Sequence, residues 1–235
     1  MTAPAIWAVI PAAGRGTRFG GAVPKQYLEA AGQPLIAHAL DALAGHPRVA
    51  GVMVALAHDD PHWPGWTQRH GKPVLRCTGG GERADSVLAA LQALPDEVGA
   101  DALVLVHDAA RPNLQRGDLD RLIEAASIDA DGAILAAPVR DTLKRAGGDS
   151  RIVATEPREA LWRALTPQAF RRGVLADALR QARSAGIMVT DEAMAMERTG
   201  ARPRLVEGRE DNLKVTTPAD LALADYLLSR RSANP

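Results

Sequence analysis

The chain alternates short, mostly apolar runs rich in β-branched residues with longer amphipathic stretches rich in Ala and Leu. The short runs predict strands at 6–10, 49–56, 74–77, 103–107 and 133–139. The longer stretches predict helices at 34–43, 84–94, 118–128 and 217–230, and a mostly helical segment at 167–185. Strands joined by crossover helices predict an α/β fold, with a mostly parallel sheet covered by helices on both faces.

Two of these elements have features of their own. The run at 103–107 is apolar almost throughout, so we expect it at the centre of the sheet. The helix at 217–230 has the clearest start, because Thr217 can cap it, Pro218 suits its first position and Asp220 complements its dipole. Ligands of such sheets bind beyond the carboxyl ends of the strands, so residues that follow strands are the candidates for chemistry.

One segment departs from the alternation. Two strand-like runs at 142–145 and 151–155 flank a Gly-rich stretch at 146–150, which is the pattern of a β-hairpin. We interpret it as a protruding arm over about 139–158, with an ordinary surface loop as the alternative. No repeat or linker divides the chain, so residues 1–235 are expected to form a single domain.

Composition and charge narrow the class of protein. The 28 Lys and Arg residues balance 28 Asp and Glu residues, so the chain lacks the basic character of nucleic-acid binders and we expect no such partner. No secretory signal is evident, and no apolar stretch approaches the ~18 residues that span a bilayer. We therefore expect a cytoplasmic location and no membrane partner. The single cysteine, Cys77, is compatible with a compartment that keeps thiols reduced.

A Gly-rich segment follows the first predicted strand. It reads PAAGRGTRFGG at 11–21 and continues to PKQY at 24–27. Small residues let backbone N–H groups approach phosphate oxygens, while Arg18 and Lys25 supply local positive charge. The spacing does not match a Walker A loop, and Phe19 replaces the third glycine of a dinucleotide fingerprint. We predict a polyphosphate site, in particular for a triphosphate, with a structural turn as the alternative.

Two further motifs follow later strands. GGGERADS at 79–86 combines glycines with Ser86, which could bind a base or ribose edge, although a helix cap is the alternative. HDAARP at 107–112 places Asp108 at the end of the expected central strand, where it could hold a divalent cation or a hydroxyl, or simply cap the strand. The histidines show no metal-ligand spacing and no G-x-S-x-G motif occurs, which disfavours zinc and triad hydrolases.

Taken together and in order, the motifs resemble those of the 2-C-methyl-D-erythritol 4-phosphate cytidylyltransferase family. They are PAAGRGTR with PKQY, GGGERADSV, VHDAARP, APVRDTLK, TDEA and VEGREDNLKVT, and the resemblance runs from 6 to about 228. It implies a Rossmann-like nucleotidyltransferase fold, a homodimer joined by the hairpin arm, CTP as co-substrate, and Mg²⁺ or another divalent cation. The implied reaction transfers the cytidylyl group of CTP to 2-C-methyl-D-erythritol 4-phosphate, giving CDP-methylerythritol and pyrophosphate in non-mevalonate isoprenoid precursor biosynthesis.

Matching the family's positions one by one implies roles for individual residues. The expected catalytic cations are Arg18 and Lys25 at the triphosphate, and Arg158 and Lys214 at the acceptor. The expected CTP site comprises Ala12, Ala13, Gly14, Gly16, Gly80, Gly81, Ser86 and Asp108. The expected methylerythritol phosphate site comprises Asp108, Arg111, Thr142, Arg158, Thr166 and Lys214, and Asp108 is also the candidate metal ligand. The arm is expected to deliver Thr142 and Arg158 into the partner's site, whereas Gly81 departs from the family, which often has a polar residue there.

Three alternatives stay open at this point. Ribitol 5-phosphate cytidylyltransferase resembles the same motifs and differs mainly in the polyol pocket. A non-catalytic nucleotide-binding module would be expected to lose charged site residues, and all are present. An NAD-linked dehydrogenase is disfavoured by Phe19 and because the acidic residue at the required distance, Asp41, falls in a predicted helix.

Overall fold

The structure, a computed structural model, describes residues 5–14 and 23–232. Its strands are β1 (Ile6–Ala12), β2 (Glu29–Ala30), β3 (Gln33–Pro34), β4 (Val49–Leu56), β5 (Gln68–Arg69), β6 (Lys72–Thr78), β7 (Leu103–Val106), β8 (Ala133–Pro138), β9 (Leu143–Ala146), β10 (Ile152–Glu156), β11 (Trp162–Arg171) and β12 (Arg204–Glu207). Its α-helices are α1 (Leu35–Ala44), α2 (Arg83–Gln92), α3 (Arg116–Ile128), α4 (Arg172–Ser184), α5 (Glu192–Glu197) and α6 (Pro218–Ser232), and Lys25–Tyr27 forms a 3₁₀ helix.

Eight strands form one sheet in the order β12-β8-β11-β7-β1-β4-β6-β5. Strands β7, β1, β4 and β6 are parallel, and β12 is parallel to β8, whereas β11 runs antiparallel to both of its neighbours. The α/β fold with a mostly parallel sheet is therefore confirmed. Strand β7 lies in the middle and all four of its residues are buried, as its apolar sequence predicts.

Helices pack on both faces of the sheet. One apolar core includes Ile36 and Leu40 of α1 together with Leu122 of α3. The other includes residues of α2, α4 and α5, such as Leu91 and Leu179. Among the described residues, no helix has the length and hydrophobicity required to cross a membrane.

The helical prediction for 167–185 is wrong over its first five residues. Residues 167–171 belong to β11, and α4 begins only at Arg172. The central part of β11, from Leu165 to Phe170, is buried between β7 and β8. Pairing with two neighbours therefore decides its conformation, and the Ala and Gln of this stretch give no strand signal of their own.

The predicted hairpin is present. Strands β9 and β10 pair antiparallel, with Lys144 donating to Thr155 at 2.7 Å and Arg145 paired with Glu156 at 2.6 Å. Two large apolar side chains on it are strongly exposed, Ile152 at 68% and Val153 at 67%. An isolated two-stranded hairpin is marginally stable in water, so this exposed surface is suited to burial by another protein surface.

The start of α6 confirms the predicted capping. The Thr217 hydroxyl accepts a hydrogen bond from the backbone N–H of Asp220 at 3.3 Å. In return the Asp220 carboxylate accepts from the Thr216 hydroxyl and from the backbone N–H groups of Thr216 and Thr217. The hydrogen bond from the Thr216 side chain is the largest cause that lowers the pKa of Asp220 to about 2. This arrangement fixes the chain immediately after Lys214.

Candidate active site

A cavity of about 420 Å³ opens at the carboxyl ends of β1, β6 and β7. This is the edge at which parallel sheets bind ligands. Nine of the predicted site residues line it: Ala12, Ala13, Gly14, Lys25, Gly80, Gly81, Ser86, Asp108 and Lys214. Segments that are far apart in the sequence therefore meet in one place. The predicted residues Gly16 and Arg18 lie outside the described residues.

The glycine loop between β6 and α2 approaches its neighbours too closely for side chains. A Cβ on Gly80 would lie 2.2 Å from the Asp85 Cβ, and one on Gly79 would lie 2.6 Å from the Ala13 Cβ. The Ser86 hydroxyl accepts a hydrogen bond from the Gly80 N–H at 3.1 Å, so in this structure it holds the loop. A Cβ on Gly81 would meet no atom within 4 Å, so packing does not require glycine there.

Asp108 lies at the centre of a cluster of cations. Its Oδ1 is 3.1 Å from Arg83 Nε, and its Oδ2 is 2.9 Å from Lys214 Nζ and 3.4 Å from Arg111 Nε. Burial alone would raise the pKa of Asp108, but the charges of Arg83, Lys214 and Arg111 outweigh it and hold that pKa well below its usual range. Asp108 is therefore a fixed anion that organises three cations.

His107 and Thr166 support Asp108 from the protein interior. The His107 Nε2 lies 3.0 Å from the Arg111 carbonyl oxygen, so this nitrogen carries the proton, and Nδ1 accepts from the Thr166 hydroxyl at 3.0 Å. The Thr166 oxygen in turn accepts from the Asp108 backbone N–H at 3.1 Å. Thr166 is thus bonded to the protein on both sides, and it is not among the residues that line the cavity.

Lys214 is held in place by the segment around it. The Arg111 guanidinium donates to the Asn212 carbonyl oxygen at 2.7 Å, and the Val215 N–H donates to the Ala110 carbonyl oxygen at 2.8 Å. The Asn212 amide donates to the Thr166 carbonyl oxygen at 2.8 Å. The predicted substrate residue Arg111 therefore anchors this segment beside Asp108, and it too does not line the cavity.

Burial lowers the pKa of His107 to about 4 from its ordinary value of 6.5. The unfolded chain therefore binds one more proton than the folded chain between these pH values, and the free energy of unfolding falls as the pH drops. We expect a loss of about 3 kcal/mol from pH 6.5 to pH 4 that is attributable to this residue.

Chemical denaturation of wild type and His107→Gln across this pH range checks the expectation. His107→Gln should reduce the slope of the free energy of unfolding against pH. The control His58→Gln, which replaces an exposed histidine, should keep the wild-type slope. An unchanged slope in His107→Gln would contradict the assignment of a neutral, buried imidazole.

The described residues do not fit a metal ion held by the protein alone. Within 5–14 and 23–232, no three or more His, Cys, Asp or Glu side chains are grouped so that they could hold a metal. Both oxygens of Asp108, the candidate ligand, are engaged by cationic side chains that a metal would have to displace. A direct bond from Asp108 to Mg²⁺ is therefore not favoured.

The structure does not bring two predicted acceptor residues into the cavity. Thr142 and Arg158 are exposed at the two ends of the hairpin, and Arg158 donates a hydrogen bond to the Arg140 carbonyl oxygen. Neither lines the cavity of its own chain. The arrangement within one chain therefore does not by itself account for the roles that the family resemblance implies for Thr142 and Arg158.

Sequence reasoning assigned no role to three residues that shape the site. The buried Gln26 amide donates to the Ala12 carbonyl oxygen at 2.8 Å and so fixes the end of β1. Arg83 lines the cavity and is paired with the buried Glu192 as well as with Asp108. Arg83 and Glu192 fall inside recognised motifs, GGGERADSV and TDEA, but their pairing depends on the fold and has no sequence signal.

Comparison with known proteins decides the family. The sequence model of the family IspD, 2-C-methyl-D-erythritol 4-phosphate cytidylyltransferase, matches residues 6–230. The chain belongs to this family. It is 69% identical to the enzyme of that name from Xanthomonas campestris pv. campestris strain 8004, over 96% of this chain and 85% of that protein. It is 67% identical to the one from Stenotrophomonas maltophilia strain K279a, over 97% of this chain and 98% of that protein.

Solved structures show the same fold. The 2-C-methyl-D-erythritol 4-phosphate cytidylyltransferase of Francisella tularensis superposes with a TM-score of 0.80 at 32% identity, covering 94% of this chain and 99% of that one. The one from Thermus thermophilus gives 0.77 at 35% identity, covering 96% and 99%. The chain is thus a cytidylyltransferase, with the Rossmann-like nucleotidyltransferase fold that the motifs implied. The family's reaction transfers the cytidylyl group of CTP to 2-C-methyl-D-erythritol 4-phosphate, giving CDP-methylerythritol and pyrophosphate in isoprenoid biosynthesis.

Proposed function

We propose that this cavity binds CTP and 2-C-methyl-D-erythritol 4-phosphate next to each other and transfers the cytidylyl group between them. One observation carries the proposal: Lys25, Lys214 and the glycine loop line the same cavity, although they lie far apart in the sequence. Glycines suit a nucleotide, and the two lysines suit two anionic reactants. Ribitol 5-phosphate is the second candidate acceptor, and the family match favours methylerythritol phosphate.

On the nucleotide side, the base faces the backbone of the loop and the triphosphate faces the end of β1. Support for the base site comes from Gly80 and Gly81, which line the cavity without side chains, so that a base can approach the backbone of the loop. Ala12 and Ala13, which are assigned to the surroundings of the cytosine base, line the same cavity, and Gly14 continues this wall. Lys25, with Arg18 from outside the described residues, stabilises the charge that develops on the leaving pyrophosphate.

On the acceptor side, the phosphate of methylerythritol phosphate attacks the α-phosphorus of CTP in line, and pyrophosphate leaves. Two unit negative charges about 4 Å apart repel by roughly 4 kcal/mol at an effective dielectric of 20, so cations are needed at both reactants. Lys214 supplies one at the acceptor, and Asp108 keeps it in position at 2.9 Å. Thr166 and Arg111 stabilise Asp108 from behind, and positioning together with electrostatics accounts for the catalysis.

Magnesium enters in this proposal as part of the substrate, Mg-CTP. The described residues offer no cage for it, and Mg²⁺ is commonly bound through substrate phosphates with few protein ligands. Mg²⁺ is therefore required because it screens the charge of the triphosphate.

The functional unit in this proposal is a homodimer of single-domain subunits joined by the hairpin arm. Its support is the exposed apolar surface of Ile152 and Val153 and the exposure of Arg158 outside its own cavity. A family match from 6 to 230 supports one domain over nearly the whole chain. A cytoplasmic location completes the proposal, in line with the bacterial biosynthetic enzymes it matches.

The test is release of pyrophosphate with a panel of nucleotides and polyol phosphates. We expect turnover with CTP and methylerythritol phosphate, slow turnover with UTP, and little with ATP or GTP, because a narrow glycine-lined site admits a pyrimidine and excludes a purine. EDTA should abolish turnover and excess Mg²⁺ should restore it. Comparable rates with ATP, or full activity in EDTA, would refute this assignment, and a preference for ribitol 5-phosphate would replace the acceptor.

A further inference from the structure

Arg83 joins the two halves of the active site through a single guanidinium group. It is the first residue of α2 and directly follows the glycine loop, and it lines the cavity. Its Nε lies 3.1 Å from Asp108 Oδ1, while its two terminal nitrogens lie 2.5 and 3.0 Å from the two carboxylate oxygens of Glu192. The fork of the guanidinium is thus directed at Glu192, and only Nε is left for Asp108.

Glu192 is buried and rigidly placed. Its side chain is only 1% exposed, and it is the first residue of α5. Asp191 caps this helix by accepting the Met194 N–H at 2.9 Å. Gln168 of β11 donates to Asp191 at 2.9 Å and accepts the Ala193 N–H at 2.8 Å, so the start of α5 is tied to the central sheet. Glu192 therefore offers Arg83 a carboxylate at a fixed position.

The charges around Asp108 explain why the position of Glu192 matters for the reaction. Arg83, Arg111 and Lys214 are three cations that surround the two carboxylates of Asp108 and Glu192. A guanidinium prefers two parallel hydrogen bonds to a carboxylate. Without the Glu192 charge, the nearest carboxylate for the fork of Arg83 is Asp108. Asp108 would then turn towards Arg83 and away from Lys214.

We propose that Glu192 is a positioning residue for cytidylyl transfer: its two-point ion pair with Arg83 leaves Arg83 a single bond to Asp108 Oδ1 and keeps Oδ2 for Lys214, which shares that oxygen with Arg111. The proposal rests on the function proposed above, because Lys214 is taken to bind the acceptor phosphate. A buried ion pair contributes little net stability compared with apolar residues of similar size, so a purely stabilising role explains its presence less well. The nucleotide loop has its own support in the bond from Gly80 to Ser86, which does not involve Glu192.

The test is steady-state kinetics of Glu192→Gln, which removes the charge at nearly constant shape. We expect the KM for methylerythritol phosphate to rise by roughly tenfold, as is typical for loss of a charged hydrogen-bond partner, while the KM for CTP changes less than twofold. The matched control is Glu197→Gln on the exposed side of the same helix, which should behave as wild type. Equal changes in both KM values, or none in either, would overturn the proposal.

A double substitution separates positioning from general stabilisation. In a Lys214→Ala background, Glu192→Gln should change the KM for methylerythritol phosphate less than twofold. The reason is that Lys214, whose contact with Asp108 this substitution would disturb, is already absent. A full additional effect there would contradict the proposal. If Glu192→Gln does not fold, Glu192→Asp keeps the charge but withdraws the carboxylate from the fork of Arg83 by one methylene, and the same selective rise in the acceptor KM is expected. A wild-type chain without cytidylyl transfer would instead overturn the proposed function, and this inference with it.

Discussion

Replacing Lys25 by alanine is expected to lower kcat about a hundredfold, corresponding to on the order of 3 kcal/mol of lost transition-state stabilisation. Lys25 lies in the 3₁₀ helix beside the cavity, where it supplies positive charge close to the glycine-lined wall. In the proposed reaction, negative charge moves onto the departing pyrophosphate, so a cation there stabilises the transition state more than the bound substrates. Arg18→Ala is expected to have an effect of the same size.

The measurement is kcat for pyrophosphate release at saturating concentrations of both substrates, together with a thermal unfolding curve for each variant. Arg180→Ala is the matched control, because it removes an exposed cation on α4 that pairs with Asp177. Lys25→Ala should unfold close to the wild-type temperature, since Lys25 is not one of the buried core residues. Near-normal turnover of well-folded Lys25→Ala would rule out the proposed role.

The fold was largely predictable because the sheet is built from apolar runs that stand out from their surroundings. Strand β4 has the bounds that the hydrophobic pattern predicted, and β1, β6, β7 and β8 differ from the prediction by a few residues at their ends. Strand β11 was missed because its burial depends on two neighbouring strands rather than on its own residues. Strand β12 is short and pairs only at the sheet edge, which gives an equally weak local signal.

The sequence predicted those parts of the candidate site that small residues or motif spacing mark. It did not predict the hydrogen bonds and ion pairs that join residues far apart in the sequence. Gly80 could be recognised as a loop residue, and the structure shows that a Cβ there would clash. The pairing of Arg83 with Glu192 joins residues 109 positions apart, so only the fold brings them together. The same holds for Thr166, whose hydroxyl is bonded to His107 rather than directed into the cavity. Sequence therefore indicated which segments form the site, while the charge network within it required the structure.

The second large expected effect concerns the hairpin arm and the binding of methylerythritol phosphate. Arg158 is exposed, does not line its own cavity, and lies just beyond the second strand of the hairpin. If the arm grips a second subunit, Arg158 acts in the partner's site, and each site combines residues of two chains. Arg158→Ala should then weaken binding of methylerythritol phosphate and leave the affinity for CTP nearly unchanged, because the guanidinium is assigned to the acceptor phosphate. Titration calorimetry with each ligand separately checks this split.

Mixed dimers test whether the site is shared. A dimer of one Arg158→Ala chain and one Lys25→Ala chain has one site with both defects and one site with neither, provided that Arg158 crosses the interface. At a concentration of methylerythritol phosphate too low for Arg158→Ala to turn over, random exchange between equal amounts of the two chains should therefore restore about a quarter of the wild-type activity, because half of the dimers are mixed and each has one intact site. Subunit exchange is verified independently by separating differently tagged chains. Mixed dimers that form and remain as inactive as their parents would show that Arg158 works within its own subunit or has no part in the reaction.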